Sequence, residues 1–171
     1  MKSQRFPWLP ALLVAAGLLL IAAAGYGLWV TGRQVPDPPL PAELAGLALK
    51  RQTGGPEAVR ALNQMHGKEF RLVSGAIGEY GSAGQATLWV SGAGSQAAAG
   101  EMLAAMAAKI ALGRSPFTPL GERQVKGRMI YELDGLGQRH FYFQSGDRLV
   151  WLAVDFRLAE AALEEMLTTY P

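Results

Sequence analysis

The sequence predicts an α+β protein in which an N-terminal transmembrane helix precedes one domain with a mainly antiparallel sheet of about five strands. Three observations predict this fold class. A long uncharged run lies near the start of the chain, strand patterns follow one another across short turn sequences, and two long helix patterns complete a ββα–βββα order. Hairpin-connected strands favour an antiparallel sheet, with the two long helices on one face and short N-terminal helices over the other.

The transmembrane prediction rests on residues 9–30, which are 22 positions without a charged side chain. A helix of this length rises about 33 Å, enough to cross a hydrocarbon core of about 30 Å. A cleaved secretory signal is the alternative, because Lys2 and Arg5 precede the run and small residues at 22–24 offer a cleavage site. The predicted membrane-interface anchors are Trp8, Tyr26 and Trp29, and the predicted helix-packing face in the membrane comprises Ala11, Ala15, Ala22, Ala23 and Gly27.

The anchor divides the chain into four predicted parts. Residues 1–8 form a cytoplasmic N-terminus, 9–30 the transmembrane anchor, 31–41 a proline-rich spacer, and 42–171 an α+β domain outside the cytoplasm. We therefore expect a single-pass protein of the inner (cytoplasmic) membrane, with its C-terminal domain in the periplasm or at the cell exterior.

The composition excludes several classes of function. The chain has no cysteine, which excludes a disulfide framework, a thiolate metal site and covalent c-type haem. From Ala42 onward there are 13 Lys and Arg residues against 13 Asp and Glu residues, so the domain is neutral. A nucleic-acid partner requires a net basic face, and we expect none.

Each element of the domain follows from a local pattern. Short helices are predicted over 41–52 and 55–67, the second with Pro56 at its first helical position and Gly67 just past its end. The remaining predicted elements are a hairpin of strands 69–80 and 85–91, a helix over 95–112, a surface loop over 113–121, strands over 123–133, 138–144 and 148–154, and a closing helix over 157–170 with Asp155 as its N-cap. The strand 148–154 is apolar on both faces, which predicts a three-layer domain.

Two segments of the chain resemble each other and raise the question of an internal duplication. Each runs from a tryptophan-bearing strand into a helix that contains Glu-Met-Leu. Trp89 and Trp151 are 62 positions apart, whereas the two Glu-Met-Leu triplets are 64 apart. Alanine-rich composition alone also produces a match of this length, so both explanations stay open.

Few patterns point to catalysis. His66 and His140 are 74 residues apart, and the chain contains no HExxH or GxSxG pattern. The glycine-rich segments lack the Walker spacing and are typical of turns and helix caps. The sequence therefore predicts no catalytic residue, no metal and no cofactor, and a hydrolase that uses His140 with Glu132 or Asp134 is the less favoured alternative.

The stretch 137–155 combines histidine, arginine and aromatic residues, and strand alternation predicts a core hairpin there. If its polar side is left open, we expect a partner to bind there, and the candidate interaction face is Arg139, His140, Tyr142 and Gln144.

The expected function is non-enzymatic. It is a binding or scaffolding domain, as an accessory or assembly subunit of a membrane complex, with the lipid bilayer and other membrane-protein subunits as partners. A small-molecule-binding or sensory domain is the alternative.

Overall fold

The structure of the protein, a computed structural model, describes residues 16–23, 25–26, 35–66, 70–82, 84–113 and 115–171. The chain divides into two compact units, Met1–Val35 and Pro36–Pro171. We describe each unit by itself.

In the first unit, residues 16–23 and 25–26 are helical, and Leu18, Leu19, Leu20 and Ile21 are each between 63% and 72% exposed. Among the described residues, no helix has the length and apolar content needed to cross a membrane. This finding contradicts the predicted transmembrane helix over 9–30, and with it the predicted single-pass inner-membrane location.

The predicted membrane residues fall into two groups. Ala22, Ala23 and Tyr26 lie within the described helical residues, and Trp8, Ala11, Ala15, Gly27 and Trp29 lie outside the described residues.

The second unit is built on an eight-stranded antiparallel sheet with the strand order β1-β2-β3-β4-β8-β7-β6-β5. Its strands are β1 (Glu43–Leu44), β2 (Leu47–Thr53), β3 (Ser74–Tyr80), β4 (Ala86–Gly92), β5 (Phe117–Val125), β6 (Arg128–Gly135), β7 (Gln138–Ser145) and β8 (Arg148–Val154). Its helices are α1 (Gly55–His66), α2 (Gln96–Ala111) and α3 (Ala159–Thr169), with a 3₁₀ turn at Phe156–Leu158 before α3.

The prediction of about five strands is wrong because two hairpins were missed. The segment 41–52, predicted to be a helix, contains the β1–β2 hairpin, which turns at Ala45 (φ 49°) and Gly46 (φ 79°). Lys126 (φ 49°) and Gly127 (φ 78°) likewise turn β5 into β6, so the predicted loop 113–121 and strand 123–133 become two paired strands. Two successive residues with positive φ are typical of the tight turn of a hairpin, but Ala-Gly and Lys-Gly are weak sequence signals for it.

The helices cover both faces of the sheet. On the face that we call the α3 face, Ala162, Leu163 and Met166 of α3 pack on apolar residues such as Leu88 and Leu152. On the opposite face, which we call the α2 face, α1 and α2 pack side by side along the sheet, and α1 approaches β3 closely at Gly75. The prediction that both long helices share one face is therefore wrong.

The central strands β4 and β8 bear on the question of an internal duplication. Trp89 pairs directly with Trp151 across these strands, and the strand order is symmetric about them. A two-fold axis normal to the sheet would keep the helices that follow β4 and β8 on one face, but α2 and α3 lie on opposite faces. The symmetry therefore extends to the strand order and stops at the helices.

The predicted proline-rich spacer is partly docked on the domain. The phenol of Tyr80 donates a hydrogen bond to the Pro41 carbonyl at 3.0 Å, and the phenol of Tyr170 donates one to the Pro39 carbonyl. The Asp37 carboxylate accepts a hydrogen bond from the Gly55 N–H at 2.6 Å, at the start of α1. Residues 36–41 thus fold with the domain.

Candidate functional site

The α2 face carries a row of side chains that crosses the sheet in register. Because paired residues of neighbouring strands point to the same face, one row links seven strands. Its members, from β2 to β5, are Thr53, Ile77, Trp89, Trp151, Tyr142, Tyr131 and Glu122.

His140 lies beside this row and is fully hydrogen-bonded. The indole N–H of Trp151 donates to His140 Nδ1 at 3.1 Å, and Nε2 lies 3.0 Å from the Gly135 carbonyl oxygen. Since Trp151 can only donate and the carbonyl can only accept, His140 is the neutral tautomer with its proton on Nε2. Burial lowers the pKa of His140, against smaller opposing effects of the Gly135 carbonyl and of Asp134, and the Phe117 ring packs edge-on at 4.8 Å.

Three rings of the row form a nearly parallel stack. Trp151 and Tyr142 have centroids 5.2 Å apart at an interplanar angle of 14°, and Tyr142 and Tyr131 have centroids 4.8 Å apart at 13°. Burial raises the pKa of the Tyr142 phenol to about 12, and the nearby Tyr131 and Glu122 add to the effect. The stack ends at Tyr131 because the next position in the row is Glu122, which has no ring.

A groove opens at this end of the stack. Its volume is about 470 Å³, which is within the range of binding clefts, and it lies between the C-terminal half of α2 and strands β5 and β6. Tyr131 and Tyr142 contribute to its lining, together with Glu122 on β5 and Glu132 on β6. The remaining lining is apolar and mostly small: Ala107, Ala108, Ile110, Ala111, Pro119, Gly121 and Leu133.

Glu122 differs from the other carboxylates of this region. Glu132 is paired with Arg139 and lies 3.9 Å from Arg123, while Glu160 accepts from Arg123 at 2.7 Å. No described lysine or arginine lies within ion-pair distance of Glu122. The groove therefore contains a carboxylate that this part of the chain does not neutralise.

The residues of the predicted interaction face separate in the structure. His140 and Tyr142 are each only 2% exposed, beneath α2 and neighbouring rings, so their side chains do not meet solvent. Arg139 points to the α3 face, where it pairs with Glu132 and lies 5.6 Å from the Phe156 ring. Gln144 is half-buried and donates to the Gln96 carbonyl at 2.8 Å, at the start of α2.

Of the two carboxylates that the sequence offered as partners of His140, Asp134 lies close enough to oppose the lowering of the imidazole pKa by burial, whereas Glu132 is turned away from the ring. Glu132 is held by arginines, and its strand position is offset by one residue from Leu133, the partner of His140, so it faces away from the imidazole. Within the described ranges, no group of three or more His, Asp or Glu residues is placed to hold a metal ion. The side chain of His66 lies outside what the structure describes.

Sequence reasoning missed the groove for one local reason. A loop was predicted up to residue 121 and a single strand over 123–133, so Glu122 had no strand neighbour and the pairing of Tyr131 with β5 was missed. A bulge at Leu120 also changes which side chains of β5 share a face, because the register shifts between Pro119 and Gly121. The one available clue was the pair Trp89 and Trp151, which the structure places opposite each other.

Comparison of the chain with protein-family models, with curated proteins and with solved structures finds no match. The site is therefore interpreted from its own chemistry.

Proposed function

We propose that this protein is a non-catalytic binding domain that holds a segment of another polypeptide in the groove between α2 and strands β5 and β6. The groove is the single observation that carries the proposal. It combines small apolar walls with a stacked aromatic floor, and such concave surfaces favour burial of a partner's apolar side chains.

The surroundings of the groove support a polypeptide partner. Leu112, directly after α2, is 69% exposed, and Leu120, at the bulge of β5, is 49% exposed. Large exposed apolar side chains beside an apolar groove extend the area that a partner can cover.

The properties of the β5 edge favour docking of the partner into the groove and disfavour its addition to the sheet as a further strand. This edge strand contains Pro119, the bulge at Leu120 and two adjacent charged residues, Glu122 and Arg123. Prolines, bulges and charges are the usual means by which a sheet edge resists pairing with another strand. The partner is therefore expected to approach over the α2 face.

The state of His140 supports a function without catalysis. A general base needs a free ring nitrogen and access to substrate. Both nitrogens of His140 are engaged, and the ring is buried.

The proposal is tested by filling the groove. Ala108 is exposed and lines the groove. When the full chain is purified from its own cells, Ala108→Trp is expected to abolish the co-purification of partner proteins. Ala97→Trp is the matched control, because Ala97 is an exposed alanine at the other end of the same helix. Equal co-purification with both variants would refute the proposal, and recovery of only small molecules would replace the polypeptide partner by a small-molecule ligand.

A further inference from the structure

The open end of the aromatic stack has the chemistry of a site for a planar cation. Three rings lie at spacings of 5.2 and 4.8 Å, close to the separation of neighbouring strands, and each is held by its position in the sheet. One face of Tyr131 is covered by Tyr142. The other face is directed toward β5, where the row continues with Glu122 instead of a ring.

A guanidinium group meets both conditions of that position. It is planar, it stacks on aromatic faces, and it binds a carboxylate through paired N–H donors. Stacked on Tyr131, it would continue the series of parallel planes and lie beside the Glu122 carboxylate.

The cations already in the fold do not serve this position. Arg123 follows Glu122 in sequence but points to the α3 face, where it pairs with Glu160 at 2.7 Å. Arg139 is also on the α3 face, with Glu132. None of the ion pairs among the described residues involves Glu122, so a partner can supply the complementary charge.

We propose that the groove binds an arginine side chain of its polypeptide partner, with the guanidinium stacked on Tyr131 and paired with Glu122. This inference rests on the proposed function and specifies the chemistry of the partner. The small apolar residues along the groove, such as Ala107, Ala111 and Pro119, accept the apolar neighbours of that arginine.

The test uses the full chain and three blocked tripeptides, acetyl-Leu-X-Leu-amide, in which X is arginine, lysine or citrulline. Citrulline has the shape of arginine without its charge, and lysine has the charge without the plane. Each peptide is titrated to about 20 mM while the backbone amide resonances of the protein are followed. The arginine peptide is expected to give saturable shifts around Tyr131 and Glu122, with affinity at least about threefold above that of lysine and about fivefold above that of citrulline.

The variants assign the contacts. Glu122→Gln removes the carboxylate charge at an exposed position and is expected to weaken the arginine peptide about fivefold, while the citrulline peptide is unaffected. Glu164→Gln changes the net charge equally at an exposed position of α3 and is expected to leave all three affinities unchanged.

Each outcome decides the inference. Equal affinity for arginine and citrulline, equal affinity for arginine and lysine, equal effects of the two glutamine variants, or no saturable shift at the groove would each overturn it. If the shifts occur at the groove but are the same for all three peptides, the preference for arginine is overturned and the proposed function is not. The proposed function is tested separately by the comparison of Ala108→Trp with Ala97→Trp.

Discussion

The two sides of the central strands β4 and β8 differ in what covers them. On the α3 face, Leu88, Val90, Val150 and Leu152 are fully buried at 0% exposure. On the α2 face of the same strands, paired Trp89 and Trp151 remain partly exposed, and the row that they belong to leads to the groove. The α3 side of these strands is therefore a sealed apolar core, whereas on the α2 side the two tryptophans stay partly exposed between buried neighbours such as Leu149 and Ala153.

The largest expected difference between the faces is in stability. Leu152→Ala removes a fully buried side chain from the α3 face, and we expect the free energy of unfolding to fall by about 2–5 kcal/mol. Tyr131→Leu, in the half-buried groove, is expected to cost only about 1 kcal/mol because solvent already reaches the site. Urea denaturation measures both values, and equal losses would remove the distinction between a sealed and an accessible face.

A smaller effect on stability is expected at acidic pH. Because the pKa of folded His140 is lowered by burial, the unfolded chain binds a proton below a pH of about 6.5 while the folded chain does not. Stability is therefore expected to fall as the pH decreases from about 6.5 toward the lowered pKa of the folded state, and to be independent of this group above that range.

His140→Gln isolates the contribution of the imidazole. Glutamine can accept from Trp151 and donate to the Gly135 carbonyl, but it does not titrate. Urea denaturation between pH 5 and 8 is expected to show a shallower loss of stability in the variant; parallel pH profiles would mean that His140 is not buried as a neutral group.

The smallest expected effect is that of the ion pair between Arg123 and Glu160. Their side chains are 42% and 70% exposed, so water and salt screen the attraction. Glu160→Gln is expected to lower the free energy of unfolding by at most about 0.5 kcal/mol and to leave binding in the groove unchanged. A loss comparable to that of Leu152→Ala would mean that the α3 face depends on this pair and not on its apolar core.

The sequence predicted regular elements well where the pattern was strong. Strands around Trp89, Phe141 and Trp151 and helices α1, α2 and α3 follow from alternation, apolar spacing and caps such as Ser95, whose side chain accepts from the Ala98 N–H. Asp155 precedes the 3₁₀ turn, but its side chain makes no capping hydrogen bond.

The site was less accessible to prediction because it depends on non-local pairing. Alternation placed His140 and Tyr142 on one face, but nothing in the sequence showed that α2 would cover them. The contribution of Glu122 depends on a bulge in β5 and on its pairing with Tyr131. Similarly, the choice of face for α2 and α3 depends on how each helix leaves its strand, which residue periodicity does not specify.

The most direct test of the central claim, that the groove and not the sealed face carries the function, is replacement of the native chain in its own cells by two tryptophan variants. Ala108→Trp fills the groove, and Ala161→Trp places the same bulk on the exposed side of α3. With equal urea midpoints, we predict that Ala108→Trp fails to replace the native chain and that Ala161→Trp replaces it fully. Full replacement by Ala108→Trp would contradict the account.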